Sequence, residues 1–112
     1  MILIIVKHPV RPEYAEDWTS LVEEFTTATR AEPGKISFDW YRSAEDPNVW
    51  VLIETFRDGA AGKAHVDSAH FKSAIARLPA LLADVPQILN VEVPGEQWAR
   101  MAEMDLERQA EP

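Results

Sequence analysis

The apolar positions of this chain fall into short extended runs separated by helical repeats. "ILIIVKH", residues 2 to 8, is rich in β-branched residues and is followed by Pro9, which predicts a strand buried on both faces. "KISFDWYR" alternates apolar and polar residues, "AEDPN" supplies turn residues, and "VWVLIETF" is a second extended run, so these three stretches predict a β-hairpin. "PQILNVEV", residues 86 to 93, predicts the last strand.

Two stretches have the periodicity of amphipathic helices. The first begins at Glu13 after Pro12 and ends before "EPG" at residues 32 to 34, with apolar residues at Tyr14, Trp18, Leu21, Val22 and Phe25. The second follows Arg57, with alanines at 60, 61 and 64 and later Phe71, Ala74, Ile75, Leu78 and Leu82. Pro79 cannot lie inside an unbroken helix, so the second helical region is expected in pieces.

The predicted order β-α-β-β-α-β is typical of an α+β protein with a ferredoxin-like antiparallel sheet and helices on one face. Residues 1–94 are expected to form this domain, and residues 95–112 a C-terminal helical tail in which Trp98 docks. The strands carry large apolar residues on both sides, although helices cover only one face. A second copy covering the other face, as a two-fold homodimer, is therefore expected.

Charge narrows the choice of partners. The 112 residues carry 19 acidic and 11 basic side chains, a net charge of −8, which disfavours both nucleic acid and anionic membrane surfaces. The chain has no cysteine, and its first apolar run is too short for a signal sequence or a membrane span. A cytoplasmic protein is expected.

"AHVDSAHF" places His65 and His70 five residues apart. On one unbroken helix this spacing turns by about 500°, which leaves the imidazoles about 140° apart and argues against a zinc clip on one helix. Asp67 or Ser68 can cap a new helix, so His65 is expected to close one helix and His70 to open the next. A first-turn position disfavours the charged form of His70, which suits a base. The alternative is that both are surface or capping residues.

Glu54, in "VLIETF", is a carboxylate among apolar strand residues and is expected to need a partner. That partner is either an imidazole, in an aromatic-lined pocket, or an arginine among Arg42, Arg57 and Arg77. A metal site formed by His8, His65, His70 and Glu54 would need convergence from three elements without any ligand-spacing motif, so no metal is expected. The chain has four glycines and no phosphate-binding or dinucleotide motif, so no cofactor is expected either.

Taken together, the "EPG" turn, the hairpin, the strand end "ETF" and the segment "AHVDSAHF" resemble the antibiotic biosynthesis monooxygenase family over about residues 1 to 94. The resemblance implies a dimeric α+β barrel with a pocket between each sheet and its helices. It also implies cofactor-independent oxygenation of quinols or aromatic polyketides, although related proteins degrade haem or isomerise small signalling molecules.

The resemblance assigns roles to particular residues. His65 and His70 become candidates for the base and for substrate positioning, and Glu54 for orienting one of them. The candidates for binding the substrate are aromatic: Trp40, Trp50, Phe56 and Phe71. Phe56 stands where the family often has tryptophan. Haem degradation is not expected, because the first strand lacks the asparagine of that branch and Ile75 stands near its histidine.

Two hypotheses of different classes follow. The first is a cofactor-independent monooxygenase that acts on a quinol, phenol or aromatic polyketide-like molecule with O2, or a small-molecule isomerase of the same fold. The second is a non-catalytic barrel that binds a ligand or serves as an interaction module. A shared fold does not decide between them, because function resides in the site.

Overall fold

The computed structural model describes residues 1–104 and 106, which contain four strands and several short helices. In chain order they are β1 (Ile2–Pro9), α1 (Pro12–Ala15), α2 (Trp18–Leu21), α3 (Glu23–Arg30), β2 (Lys35–Arg42), β3 (Val49–Phe56), α4 (Gly59–Val66), α5 (Ala69–Arg77) and β4 (Gln87–Glu92), with 3₁₀ turns at Leu78–Leu81 and Ala102–Met104. Among these residues, no helix combines the length and apolar character needed to cross a membrane.

The four strands form an antiparallel sheet in the order β2-β3-β1-β4. This arrangement confirms the predicted α+β, ferredoxin-like fold, and the two hairpin strands have the bounds that alternation predicted. The register places Asn90, Ile4, Glu54 and Phe38 side by side in one row across the sheet. Paired residues point to the same face, and this row points toward the helices, so β1 and β3 deliver Glu54 beneath them.

The first helical region differs from the prediction of one continuous helix. It is divided into α1, α2 and α3, with breaks at Asp17 (φ −99°, ψ 7°) and Val22 (φ −104°, ψ 9°). Trp50 of β3 donates its indole N–H to the carbonyl of Ala15 at 2.9 Å, an oxygen that a continuous helix would use internally. The apolar periodicity is the same with or without this break, which is why the sequence did not reveal it.

The core lies between the helices and one side of the sheet. Its buried members are Val10, Ala15, Trp18, Val22, Phe25, Phe38, Leu52, Ala74 and Leu78. At the β4 edge the helices no longer cover the sheet, and Ile88, whose position in the register is on the helix side, is 61% exposed. This uncovered strip leaves room for a cavity between β1, β4 and α4.

The opposite face of the sheet is the one for which a second copy is expected. Alternation places Leu89 and Val91 there, and both are exposed. The second copy stays a prediction, which the molar mass in solution tests.

The tail after β4 differs in part from the helical tail that the sequence predicted. Trp98 reaches the open face and donates its indole N–H to Ser37 Oγ at 3.2 Å. The chain around Trp98 is irregular rather than helical. Residues 105 and 107–112 of the predicted tail lie outside the described residues.

His8, at the end of β1, belongs to the core. Its ring centroid lies 5.7 Å from that of Trp18 and 5.0 Å from that of Trp40, and its Nδ1 has no hydrogen-bond partner among the described residues. Burial lowers the pKa of His8 from 6.5 to about 4, because the charged imidazole would lose its hydration. His8 therefore serves packing.

This burial predicts acid sensitivity of the fold. Above pH 6.5 His8 is neutral in both states, whereas between pH 6.5 and about 4 the unfolded chain binds a proton that the folded chain excludes. The free energy of unfolding is therefore expected to fall by about 2 kcal/mol between pH 7 and pH 5 on account of His8 alone. Urea unfolding of wild type and of His8→Phe at both pH values measures this difference in the free energy of unfolding. Phenylalanine keeps an aromatic ring at position 8 but does not titrate. An identical pH dependence in both proteins contradicts it.

Candidate active site

The bend between α4 and α5 confirms the local structure predicted for "AHVDSAHF". His65 lies in the last turn of α4, and His70 lies in the first turn of α5. Ser68 is the N-cap: its Oγ accepts from the backbone N–H of Phe71 at 3.2 Å and donates to the carbonyl of His65 at 2.6 Å. The bend thus holds the two histidines in a fixed relation, with ring centroids 5.9 Å apart.

Both imidazoles contact the same carboxylate oxygen, which belongs to Glu32. The distances to Glu32 Oε2 are 2.7 Å from His65 Nδ1 and 2.5 Å from His70 Nε2. Sequence reasoning missed Glu32, because the "EPG" motif was interpreted only as a turn. The signal was the motif itself, since a carboxylate immediately before a Pro-Gly turn sits in a rigid backbone.

Gly34 of the same turn explains how Glu32 comes so close to α4. A Cβ at position 34 would lie 2.3 Å from Cβ of Ala61, a distance that two carbon atoms do not tolerate. Glycine therefore lets the turn pack directly on the helix that carries His65.

The shared carboxylate determines which nitrogen of His65 is free. When Glu32 is ionised and both imidazoles are neutral, the carboxylate only accepts, so His65 donates from Nδ1 and His70 donates from Nε2. The Nε2 of His65 then carries a lone pair. This is the arrangement of a histidine base that is oriented by a carboxylate.

Glu54 lies beside His65, but its ion-pair partner differs from those considered from the sequence. Lys35 Nζ donates to Glu54 Oε1 at 3.0 Å, and the two side chains are 2% and 6% exposed. His65 Nε2 lies 3.9 Å from the same oxygen, within reach of its charge but too far for a hydrogen bond. The three candidate arginines contact other groups instead: Arg42 binds Glu16, Arg57 binds Asp58, and Arg77 donates to the carbonyl of Leu21.

Lys35 is enclosed by aromatic rings as well as by Glu54. Its Nζ lies 3.2 Å from the ring centroid of Phe56 and 5.0 Å from that of Phe38. Burial lowers the pKa of the Lys35 ammonium, and the charge of Glu54 opposes that shift. The ammonium therefore depends on the carboxylate and the rings for its stabilisation.

A cavity of about 340 Å³ opens beside His65, a volume within the usual range for small-molecule sites. It is lined by Ile2, Ile4, Phe56, Gly59, Gly62, Lys63, His65, Val66 and Asn90. The wall is mostly apolar, with the imidazole on one side and the Asn90 amide and Lys63 ammonium as further polar groups.

The predicted site residues are only partly brought together here. Phe56 lines the cavity, and Phe71 packs edge-on against His65 with centroids 5.1 Å apart. His70 lines a separate crevice of about 30 Å³, and its hydrogen bond to Glu32 links it to His65.

The two tryptophans proposed as substrate-binding residues are engaged elsewhere. Trp40 donates its indole N–H to Thr26 Oγ1 at 2.9 Å and lines a different cleft, beside α3. Trp50 donates to the Ala15 carbonyl and packs on the core. Both residues were named as candidates from the resemblance, which could not show that their indoles donate to groups on the helices.

Among the described residues, Glu32, His65 and His70 form the group with metal-ligating potential, since their ligand atoms lie within 4.8 Å of one another. The set considered from the sequence does not assemble, because His8 packs between tryptophans. Bonds of about 2.0–2.1 Å to a tetrahedral ion would separate ligand atoms by about 3.3 Å. The contacts of 2.5 and 2.7 Å in this structure are shorter, so the three side chains are joined here by hydrogen bonds.

Fold and site together define a small α+β protein of ferredoxin-like topology with a candidate small-molecule site under its helices. The model of the family described as "Antibiotic biosynthesis monooxygenase" matches residues 1–77, and the chain belongs to this family.

Named relatives are consistent with this membership. The chain is 29% identical over 93 residues to "Putative monooxygenase YcnE" of Bacillus subtilis, covering 83% of this chain and 98% of that protein. It is 32% identical over 81 residues to "Putative monooxygenase Rv0793" of Mycobacterium tuberculosis, covering 72% of this chain and 79% of that protein.

Solved structures agree with the fold. The structure of Rv0793 superposes with a TM-score of 0.76 at 28% identity, covering 85% of this chain and 96% of that one. A Caulobacter crescentus protein described as a "putative antibiotic biosynthesis monooxygenase" has a TM-score of 0.78 at 22% identity, which shows the fold alone.

Proposed function

We propose that this protein is a cofactor-independent monooxygenase that acts on a quinol, a phenol or an aromatic polyketide-like molecule. One arrangement supports this proposal. His65 lies in the wall of a mostly apolar cavity, and its hydrogen bond to Glu32 through Nδ1 leaves Nε2 free. Membership of the family and the names of the relatives support the monooxygenase part of this proposal.

The proposed first step is removal of a proton from the substrate hydroxyl by His65 Nε2. The resulting imidazolium is flanked by Glu32 on Nδ1 and faces Glu54 at 3.9 Å, so both carboxylates stabilise the charge that develops. Asn90 and Lys63 lie in the wall of the same cavity and are the proposed donors to the substrate oxyanion.

The substrate itself is the proposed reductant. For an anthrone-like phenol, the anion transfers electrons to O2 and a C–O bond forms at the activated carbon. The peroxide then collapses, so that one oxygen atom remains as a carbonyl and the other leaves as water with the two hydrogens lost from that carbon. This balance needs no external reductant.

Oxygen consumption tests this proposal. The protein, treated with a chelator and supplied with no cofactor, is incubated with a panel of quinols and anthrone-like phenols in an oxygen electrode. We expect one O2 consumed for each molecule of oxygenated product. A compound that binds, as seen by tryptophan fluorescence, without oxygen uptake above its own autoxidation points to the ligand-binding alternative. Activity that chelation abolishes and a divalent metal restores contradicts the metal-free mechanism.

A further inference from the structure

Lys35 is the buried charge that the proposed mechanism leaves without a role. Lysine is seldom fully buried, yet the side chain of Lys35 is 2% exposed. Its Nζ binds Glu54 at 3.0 Å and lies over the ring of Phe56, the same ring that lines the cavity. Lys35 therefore acts from behind the site, through Glu54, rather than on a substrate.

The effect of Lys35 on His65 follows from the net charge of the groups around the imidazole. The titratable groups nearest His65 are Glu32, Glu54, His70 and Lys35, and Lys63 lies on the cavity wall paired with Asp67. With both imidazoles neutral, two carboxylates and one ammonium give the cluster a net charge of −1. One added proton brings it to zero. Without the ammonium the same cluster would start at −2 and bind that proton more strongly.

We propose that Lys35 is a positioning residue that fixes Glu54 beside His65 and offsets the negative charge that Glu54 places 3.9 Å from His65 Nε2. This inference rests on the proposed function, in which Nε2 is the base. The carboxylate then has two uses: it holds the lysine in the resting protein, and it stabilises the imidazolium when the substrate proton arrives.

The test is the titration of the histidine ring C–H resonances by NMR in wild type, Lys35→Gln and Lys35→Arg. Glutamine keeps a donor to Glu54 without the charge, and arginine keeps the charge. We expect the midpoint of the cluster titration to move upward by about one pH unit or more in Lys35→Gln. Lys35→Arg is expected to stay near wild type.

A double variant, Lys35→Met with Glu54→Gln, replaces the ion pair by a neutral pair and restores the net charge of the cluster. Its midpoint is expected to return toward the wild-type value, and it serves as the test if the single variant does not fold. A midpoint unchanged in Lys35→Gln, or a double variant still displaced upward from wild type, overturns the inference. Because this titration needs no substrate, a lack of oxygen uptake would contradict only the proposed function.

Discussion

His65→Asn is expected to lower kcat for oxygen consumption by about 10²–10⁴-fold, the usual contribution of a general base. Asparagine places an amide N–H near the position of His65 Nδ1, so it retains the donor to Glu32 while it removes the Nε2 lone pair. The loss is therefore expected in kcat, while the free energy of unfolding falls by the packing that the smaller side chain loses against Phe56 and Phe71. Steady-state oxygen uptake and urea unfolding of the same preparation measure the two quantities.

His70→Ala is the matched control for this variant. It removes the second imidazole on Glu32 but leaves the base and the cavity wall in place, so a smaller loss of kcat is expected. If His65→Asn turns over at the wild-type rate, proton removal must be assigned to another group.

Glu32→Gln is expected to lower kcat by about 10²-fold or more with a smaller change in KM, because Glu32 orients the base without lining the cavity. A neutral amide can donate to His65 Nδ1, which favours the tautomer whose Nε2 already carries a proton. It also removes the charge that stabilises the imidazolium. Glu32 touches both histidines, so a fall in the free energy of unfolding of about 1–3 kcal/mol is expected as well.

Glu45→Gln is the control for loss of one negative charge, since Glu45 is exposed on the turn between β2 and β3. Glu32→Asp keeps the negative charge on a shorter side chain. Partial activity in this variant would distinguish the effect of the charge from the effect of side-chain length. Equal kcat values for wild type and Glu32→Gln would show that the carboxylate is structural only.

Local patterning was sufficient for the strands and for the histidine bend. The hairpin strands and the Ser68 cap follow from alternation, turn residues and capping preference, which act over a few neighbouring residues. For the same reason the sequence could not show that α1 ends at Ala15, whose carbonyl accepts from the indole of Trp50, 35 residues away.

The candidate site could be predicted from the sequence to a smaller extent than the strands and the histidine bend. The sequence by itself determined the fold class, the order of the elements and the placement of His65 and His70 on either side of a helix bend, because periodicity and capping are encoded locally. Only the tertiary structure brought Glu32 between the two imidazoles, paired Lys35 with Glu54, and enclosed Trp40 and Trp50 in other contacts. These outcomes depend on sheet register and on how closely a glycine turn packs against a helix, and neither is a property of one stretch of sequence.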